Sequence, residues 1–191
     1  MREDHLVTHA MLRGRVLVAA PPLVDPNFDR TVVLMLEHGS EGALGLVLNR
    51  PGDTALIDAV PEWNALAADP AVVFAGGPVS PESVIALARS EVTDERDGWI
   101  PVGNGLGTVD LGRPPDDVPV VIDGVRVFVG YAGWAPDQLE EELERGAWFV
   151  VDFDLEDAFG TEPDQLWRRV LRRQPGRLAM FANCPADPAT N

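Results

Sequence analysis

The 191-residue sequence predicts an α+β fold in a single domain, a sheet carrying short helices on its faces. Three observations predict it. The stretch Val125–Phe149, VRVFVGYAGWAPDQLEEELERGAWF, runs from strand through a glycine-and-tryptophan corner and a short helix into a second strand, with no spare residue. Two β-rich runs, Thr31–Leu36 and Ala43–Leu48, are joined by a short glycine-bearing link, the pattern of a hairpin. The length and the 46% hydrophobic content suit one core that buries about 70% of the unfolded surface without a metal or disulfide.

In chain order, residues 1–13 read as a flexible N-terminal segment. His5 and His9 stand four apart with Glu3 and Asp4 nearby, a spacing that would offer two imidazoles to a metal from a helix; a solvated terminus explains them with less. Arg15–Ala20 is an apolar strand stopped by Pro21 and Pro22, and Asp25–Pro26–Asn27 is a turn. In the hairpin, Glu37 and His38 end the first strand while Asn49 and Arg50 end the second. An antiparallel pairing therefore sets the two polar groups at opposite ends, as two places and not one site. Asp53–Val60 and Glu62–Ala68 have helical spacing around Pro61, and Ala71–Ala75 is a strand. Gly76–Gly77–Pro78 is a tight turn; as a phosphate cradle it would lack one N–H at the proline. At residues 80–90 the signals conflict, since Ser80, Pro81 and Glu82 mark a helix start but Val84, Ile85 and Leu87 favour a strand.

Residues 91–119 read as a long irregular excursion, dense in glycine and proline. Gly103, Gly105 and Gly107 miss the dinucleotide fingerprint, and the prolines that follow forbid its helix. In Val125–Tyr131 the valines alternate at period two with Arg126, Phe128 and Gly130. Pro136 suits a first helical turn, Leu139 and Leu143 face inward, and Gln138, Glu141, Glu142 and Arg145 take the wet side with Gly146 as the stop. Trp134 is the expected wedge between sheet and helix. Ala147–Val151 is a strand buried on both faces, and Asp152, Asp154, Glu156 and Asp157 follow it either as a solvated strand end or as a carboxylate site. The last helix, Pro163–Arg173, turns Leu166, Trp167, Val170 and Leu171 inward and Arg168, Arg169, Arg172 and Arg173 outward. That basic face either grips an acidic partner or complements the helix dipole and the acidic body. Residues 185–191 read as a flexible tail.

Charge and composition exclude several functions. The net charge of −16 opposes nucleic acid and anionic membranes. All fifteen bases are arginine, so a Schiff-base lysine and a Walker-type phosphate loop are both absent. Cys184 is the single cysteine, no apolar run approaches membrane-spanning length, and the acidic start is unlike a signal peptide; together these point to the cytoplasm. No metal or cofactor is expected. Ser40 lacks the nucleophile-elbow spacing, Cys184 has no histidine near it in sequence, and no catalytic residue is assigned.

The blocks GRVLVAAPPLVDPNFDRTVVLMLEH, GALGLVLNRP, FAGGPV and RVFVGYAGWAPDQLEEEL, with the tryptophan strand at 147–151, resemble the YqgE/AlgH family in order and spacing from about Gly14 to Arg173. The resemblance implies a compact α+β domain over 14–184 with a bifurcated, barrel-like, mostly antiparallel sheet flanked by helices. It also implies a strand at residues 83–90, where Arg89 stands at the place of a family histidine. It brings no reaction or cofactor; one branch carries a label, regulation of alginate synthesis. On this reading a non-enzymatic interaction or regulatory protein is expected, monomeric or homodimeric, with a protein partner and a groove lined by Asn27, Arg30, Asn49, Arg50, Trp134 and Gln138. The alternative is an enzyme using His38 or Asp25 as acid or base, with Arg30 or Arg50 holding an anionic substrate.

Overall fold

A computed structural model describes residues 12–21, 23 and 25–184. The first half of the chain forms β1 (Val16–Ala19), β2 (Val32–Gly39), β3 (Gly42–Val47), β4 (Pro51–Ala55), helix α1 (Leu56–Ala59), β5 (Val72–Ala75) and β6 (Val79–Arg89). The second half forms β7 (Trp99–Gly103), β8 (Leu106–Val109), β9 (Gly124–Trp134), α2 (Gln138–Glu144), β10 (Trp148–Val151), α3 (Leu155–Phe159), α4 (Leu166–Arg172) and α5 (Leu178–Phe181).

The strands run in the order β10-β1-β2-β3-β9-β6-β8-β7, with β4 and β5 branching from this path. The branch arises because β9 serves two neighbours along one edge. Its C-terminal end pairs antiparallel with β3 (Gly45 opposite Ala132), and its middle pairs parallel with β5 (Phe74 opposite Phe128). β6 lies along its other edge from Tyr131 to Gly124. At the fork the Gly76 N–H donates to Val129 O at 2.8 Å, and Gly76 O accepts from Val47 N–H at 2.9 Å. A Cβ on Gly76 would stand 2.3 Å from Gly130 O, and one on Gly130 would stand 2.4 Å from Gly77 O. In place of a tight turn, residues 76–78 link β5 to β6 with a bend at Pro78, and the glycines are there for backbone contact, with the Gly76 amide already committed to the sheet.

Period-two alternation covers the sheet on both faces. Val16 and Val18 of β1 face one core with Leu34, Leu46 and Phe128, closed by Ala158, Leu166, Trp167, Val170 and Leu171 of the C-terminal helices. Leu17 and Ala19 face the other way, into Val33, Met35, Trp134, Leu139 and Trp148. A third cluster joins Ala86, Ala88, Val125 and Val127 to Leu56, Trp63, Trp99 and Val118. The domain is thus α+β, a curled, mostly antiparallel half-barrel with short helices packed on both faces of its sheet, and α+β is what the sequence predicts.

Several elements differ from their expected form. The β2–β3 hairpin is tighter, Gly39 facing Gly42 across a two-residue loop, so Glu37 and His38 lie within the strand. Residues 51–55 form a strand, leaving helix only at 56–59 and a 3-10 turn at 61–66. Residues 91–119 contain the β7–β8 hairpin, turned by Asn104 and Gly105, both at positive φ (55° and 77°) as a type I′ turn requires. This region is anchored by indoles: Trp99 Nε1–H donates to Val92 O at 3.2 Å and Trp63 Nε1–H to Arg113 O at 3.0 Å. Pro136 precedes α2, whose cap is Asp137 in the left-handed region (φ 65°). β10 has faces partly covered but stands at the edge of the sheet, beside β1 alone. His5 and His9 lie outside the described residues, as does the tail from 185. Leu12 and Arg13, inside the segment expected to be flexible, are seated: Leu12 is buried and Arg13 donates to Pro101 O at 2.7 Å.

Candidate functional site

The structure divides the expected binding residues among three places. The first surrounds Glu142 on α2. Its Oε2 accepts from both Trp134 Nε1–H (2.9 Å) and Trp148 Nε1–H (2.8 Å), while Oε1 accepts from Gln138 Nε2–H (3.1 Å). Phe28 stacks on Trp134 with centroids 6.2 Å apart and meets Trp148 edge-on at 5.5 Å. Trp134 is therefore the wedge its position predicts, with Gln138 supporting it. Nearby, at the hairpin end, His38 Nε2 lies 2.9 Å from Glu140 Oε1, and the His38 side chain is only 1% exposed.

The second place is about 17 Å of strand away, at the other end of β2 and on the opposite face. Asn49 is buried and ties two loops together: Oδ1 accepts from Val32 N–H at 3.0 Å, and Nδ2 donates to Arg30 O at 2.8 Å. Arg30 lies over the Trp167 ring at 4.8 Å and donates to Cys184 O at 2.9 Å. Asp25 forms an Asx turn, its Oδ1 accepting from Asn27 N–H at 2.8 Å. Asn27 is thus spent on an exposed turn. Arg30, Asn49, Arg50 and Arg168 line one cleft of about 350 Å³, with Asp29, Asp164 and Trp167.

The four arginines of the C-terminal segment do not act as one face. Arg168 enters that cleft, and Arg169 donates to Glu156 O at 2.9 Å. Arg173 makes a bidentate pair with Asp157, whose side chain is wholly buried. That pair raises the Arg173 pKa through the hydrogen bond first, against the cost of its burial. Asp157 also closes a capping box with Asp154 at the start of α3, so two of the four acids after β10 are structural, where a solvated strand end was the simpler reading. Among the described residues no cluster of three or more metal-ligating side chains occurs.

The third place is the mouth of the half-barrel, a cavity of about 780 Å³. Leu36, Leu44, Val84, Ile85, Ile100 and Val102 form its apolar wall, and Arg13, Glu37, Glu95 and Arg96 stand at its rim. Val84 is 54% and Ile100 51% exposed there. Arg96 is paired with Asp94 at 2.8 Å, whereas Glu37 and Glu95 have no ion pair among the described residues. None of these wall residues was singled out by sequence, since Val84 and Ile100 have the pattern of ordinary strand residues. Arg126 was also missed: it is 2% exposed, donates to Ala158 O at 2.7 Å and lies 4.4 Å from the Phe74 ring. Burial pushes its pKa down to about 10, with the Asp69 charge opposing.

A forked, curled, mostly antiparallel sheet with short helices packed on it, an apolar mouth and a separate arginine cleft defines a small α+β domain. The chain belongs to the AlgH-like family, whose model matches residues 16–179. It is 49% identical over 184 residues to a UPF0301 protein of Streptomyces coelicolor, covering 94% of this chain and 95% of the relative. A UPF0301 protein of Thermobifida fusca is 44% identical over 189 residues, with 94% and 96% covered. The crystal structure of protein DIP2367 from Corynebacterium diphtheriae superimposes with a TM-score of 0.83 at 33% identity, over 96% of this chain and 100% of that one. The solution structure of AlgH from Pseudomonas aeruginosa gives a TM-score of 0.63 at 26% identity, over 91% and 94%. No helix among the described residues is long and apolar enough to cross a membrane.

Proposed function

We propose that this chain is a non-enzymatic interaction protein that docks an extended, apolar segment of a partner protein, flanked by basic side chains, in the mouth of its half-barrel. The observation that carries the reading is the apolar wall itself, with Val84 and Ile100 half-exposed in a cavity also lined by Glu37 and Glu95, which have no ion pair among the described residues. Apolar side chains of the partner would cover the wall, and its arginines or lysines would meet the rim carboxylates. The enzyme alternative requires His38, an arginine and a carboxylate to converge on one cavity. Instead His38 is buried against Glu140, Arg30 and Arg50 sit at the far end of the strand, and Asp25 caps its own turn. A regulatory role would then act through docking, and the single cysteine favours the cytoplasm as its setting.

The test is a set of ten-residue peptides alternating valine with arginine, titrated into the 15N-labelled protein, with an aspartate-for-arginine set beside it. The arginine set is expected to shift the amides of Leu44, Val84, Ile85 and Ile100 and to lose that effect with Val84→Asp. Equal shifts from both sets, shifts confined elsewhere, or no shift at millimolar peptide would overturn the reading. So would light scattering that shows a dimer which Val84→Asp dissolves, because the mouth would then be occupied by a second copy.

A further inference from the structure

The arginine cleft is a different cavity from the mouth, and its inference stands whether or not the mouth docks a partner. We propose that this cleft binds a small hydroxylated ligand carrying one phosphate or carboxylate. Three guanidinium groups, Arg30, Arg50 and Arg168, and two carboxylates, Asp29 and Asp164, line its volume of about 350 Å³, so among the described residues the lining holds one more basic than acidic side chain in a chain of charge −16.

Arg50 and Arg168 are the two whose charge no ion pair among the described residues neutralises. Arg50 donates to Asp29 O and to Asn49 O (3.4 Å), both backbone carbonyls, and has no ion pair among the described residues. Arg168 has neither ion pair nor hydrogen bond among them. A guanidinium fixed by carbonyls keeps its full charge and presents its remaining N–H fork to an oxyanion. The cleft is also held in shape before any ligand arrives. Asn49 locks Arg30 to β2, and Trp167, fixed by its Nε1–H donation to Ala19 O at 2.9 Å, forms the platform on which Arg30 rests. Such fixed geometry lowers the entropy cost of binding. Asp29 and Asp164 would accept from hydroxyls of the same ligand and would repel a polyanion, which restricts the class to a small, singly headed molecule. The volume lies at the small end of ligand pockets.

Isothermal titration of the full chain with glycerol 3-phosphate, glycerate and glycerol separates the outcomes. At least one of the two anions is expected to bind saturably at one site, with glycerol silent; which anion binds decides between phosphate and carboxylate. Arg168→Gln is expected to weaken that binding tenfold or more. Arg172→Gln, an exposed residue of the same helix that does not line the cleft, is expected to leave it unchanged. Absence of saturable binding, a match between Arg168→Gln and wild type, or an equal loss in both variants, which would report net charge alone, would each overturn the proposal.

Discussion

Replacing Glu142 by leucine tests how α2 is held on its face of β1–β3. The seven-residue α2 is too short to persist on its own, and Leu139 is its one fully buried residue, so its docking depends on what else ties it down. Glu142 supplies one such tie, beside that of Glu140 to His38, by accepting both indole N–H groups on one carboxylate oxygen. Trp134 and Trp148 are 6% and 4% exposed, so neither N–H gains a water when the acceptor goes. Each hydrogen bond to a charged acceptor contributes roughly 1.5 to 3 kcal/mol, which makes about 3 kcal/mol a low estimate for losing the pair. Glu142→Gln is a graded control. Its amide oxygen can still receive both indoles, but its NH2 then faces the Gln138 NH2, whose own oxygen is held by Ala135 N–H at 3.0 Å. That variant should lose about 1 kcal/mol. Urea unfolding followed by tryptophan fluorescence, with an unchanged slope, reads both values. A loss under about 1 kcal/mol for Glu142→Leu, or a larger loss for Glu142→Gln, would refute the argument.

Two further outcomes follow from the ion pairs. Asp157→Asn leaves Arg173 without its buried counter-charge and should cost about 3 kcal/mol in the same unfolding assay, with Arg173→Met in the double-mutant cycle showing strong coupling. Asp97 is held below the usual aspartate range, first by the hydrogen bond from Arg113 and then by its charge. The fold favours the charged form, so its contribution is complete above the ordinary aspartate pKa and disappears as pH falls through the lower folded value. The stability difference between wild type and Asp97→Asn, small at this exposed pair, should therefore shrink below about pH 4 in thermal scans.

Local patterns were legible where a single element decides them. Val125–Tyr131 alternates and is a strand, Gly146 ends α2 at φ 73°, and the β-formers of 83–89 prevail over the Ser80–Pro81 helix signal. The β7–β8 hairpin was also written locally, in Asn104–Gly105, but its turn lay among other glycines and prolines that dilute the strand pattern around it. Glu142 reads as solvent-facing and Asp157 as part of a solvated strand end or a carboxylate site, because nothing in local spacing announces two indoles arriving from β9 and β10, or an arginine from the end of α4. The candidate cleft was half legible. Arg30, Asn49, Arg50 and Arg168 each stood out by type, yet only the packing of α4 beside the β3–β4 link brings them together and sends Trp134 and Gln138 to the opposite face.

The glycine fork gives the mouth a mechanical character. Leu36, Glu37 and Leu44 form one jaw and Val84, Ile85 and Thr108 the other, and the ladders bearing these jaws meet along β9. Gly76, Gly77 and Gly130 sit where they part, like the pivot of a pair of tongs. A slight splay at that pivot is multiplied along the strands into the aperture, so a methyl group added at Gly76 would change what the jaws can grasp without touching either of them.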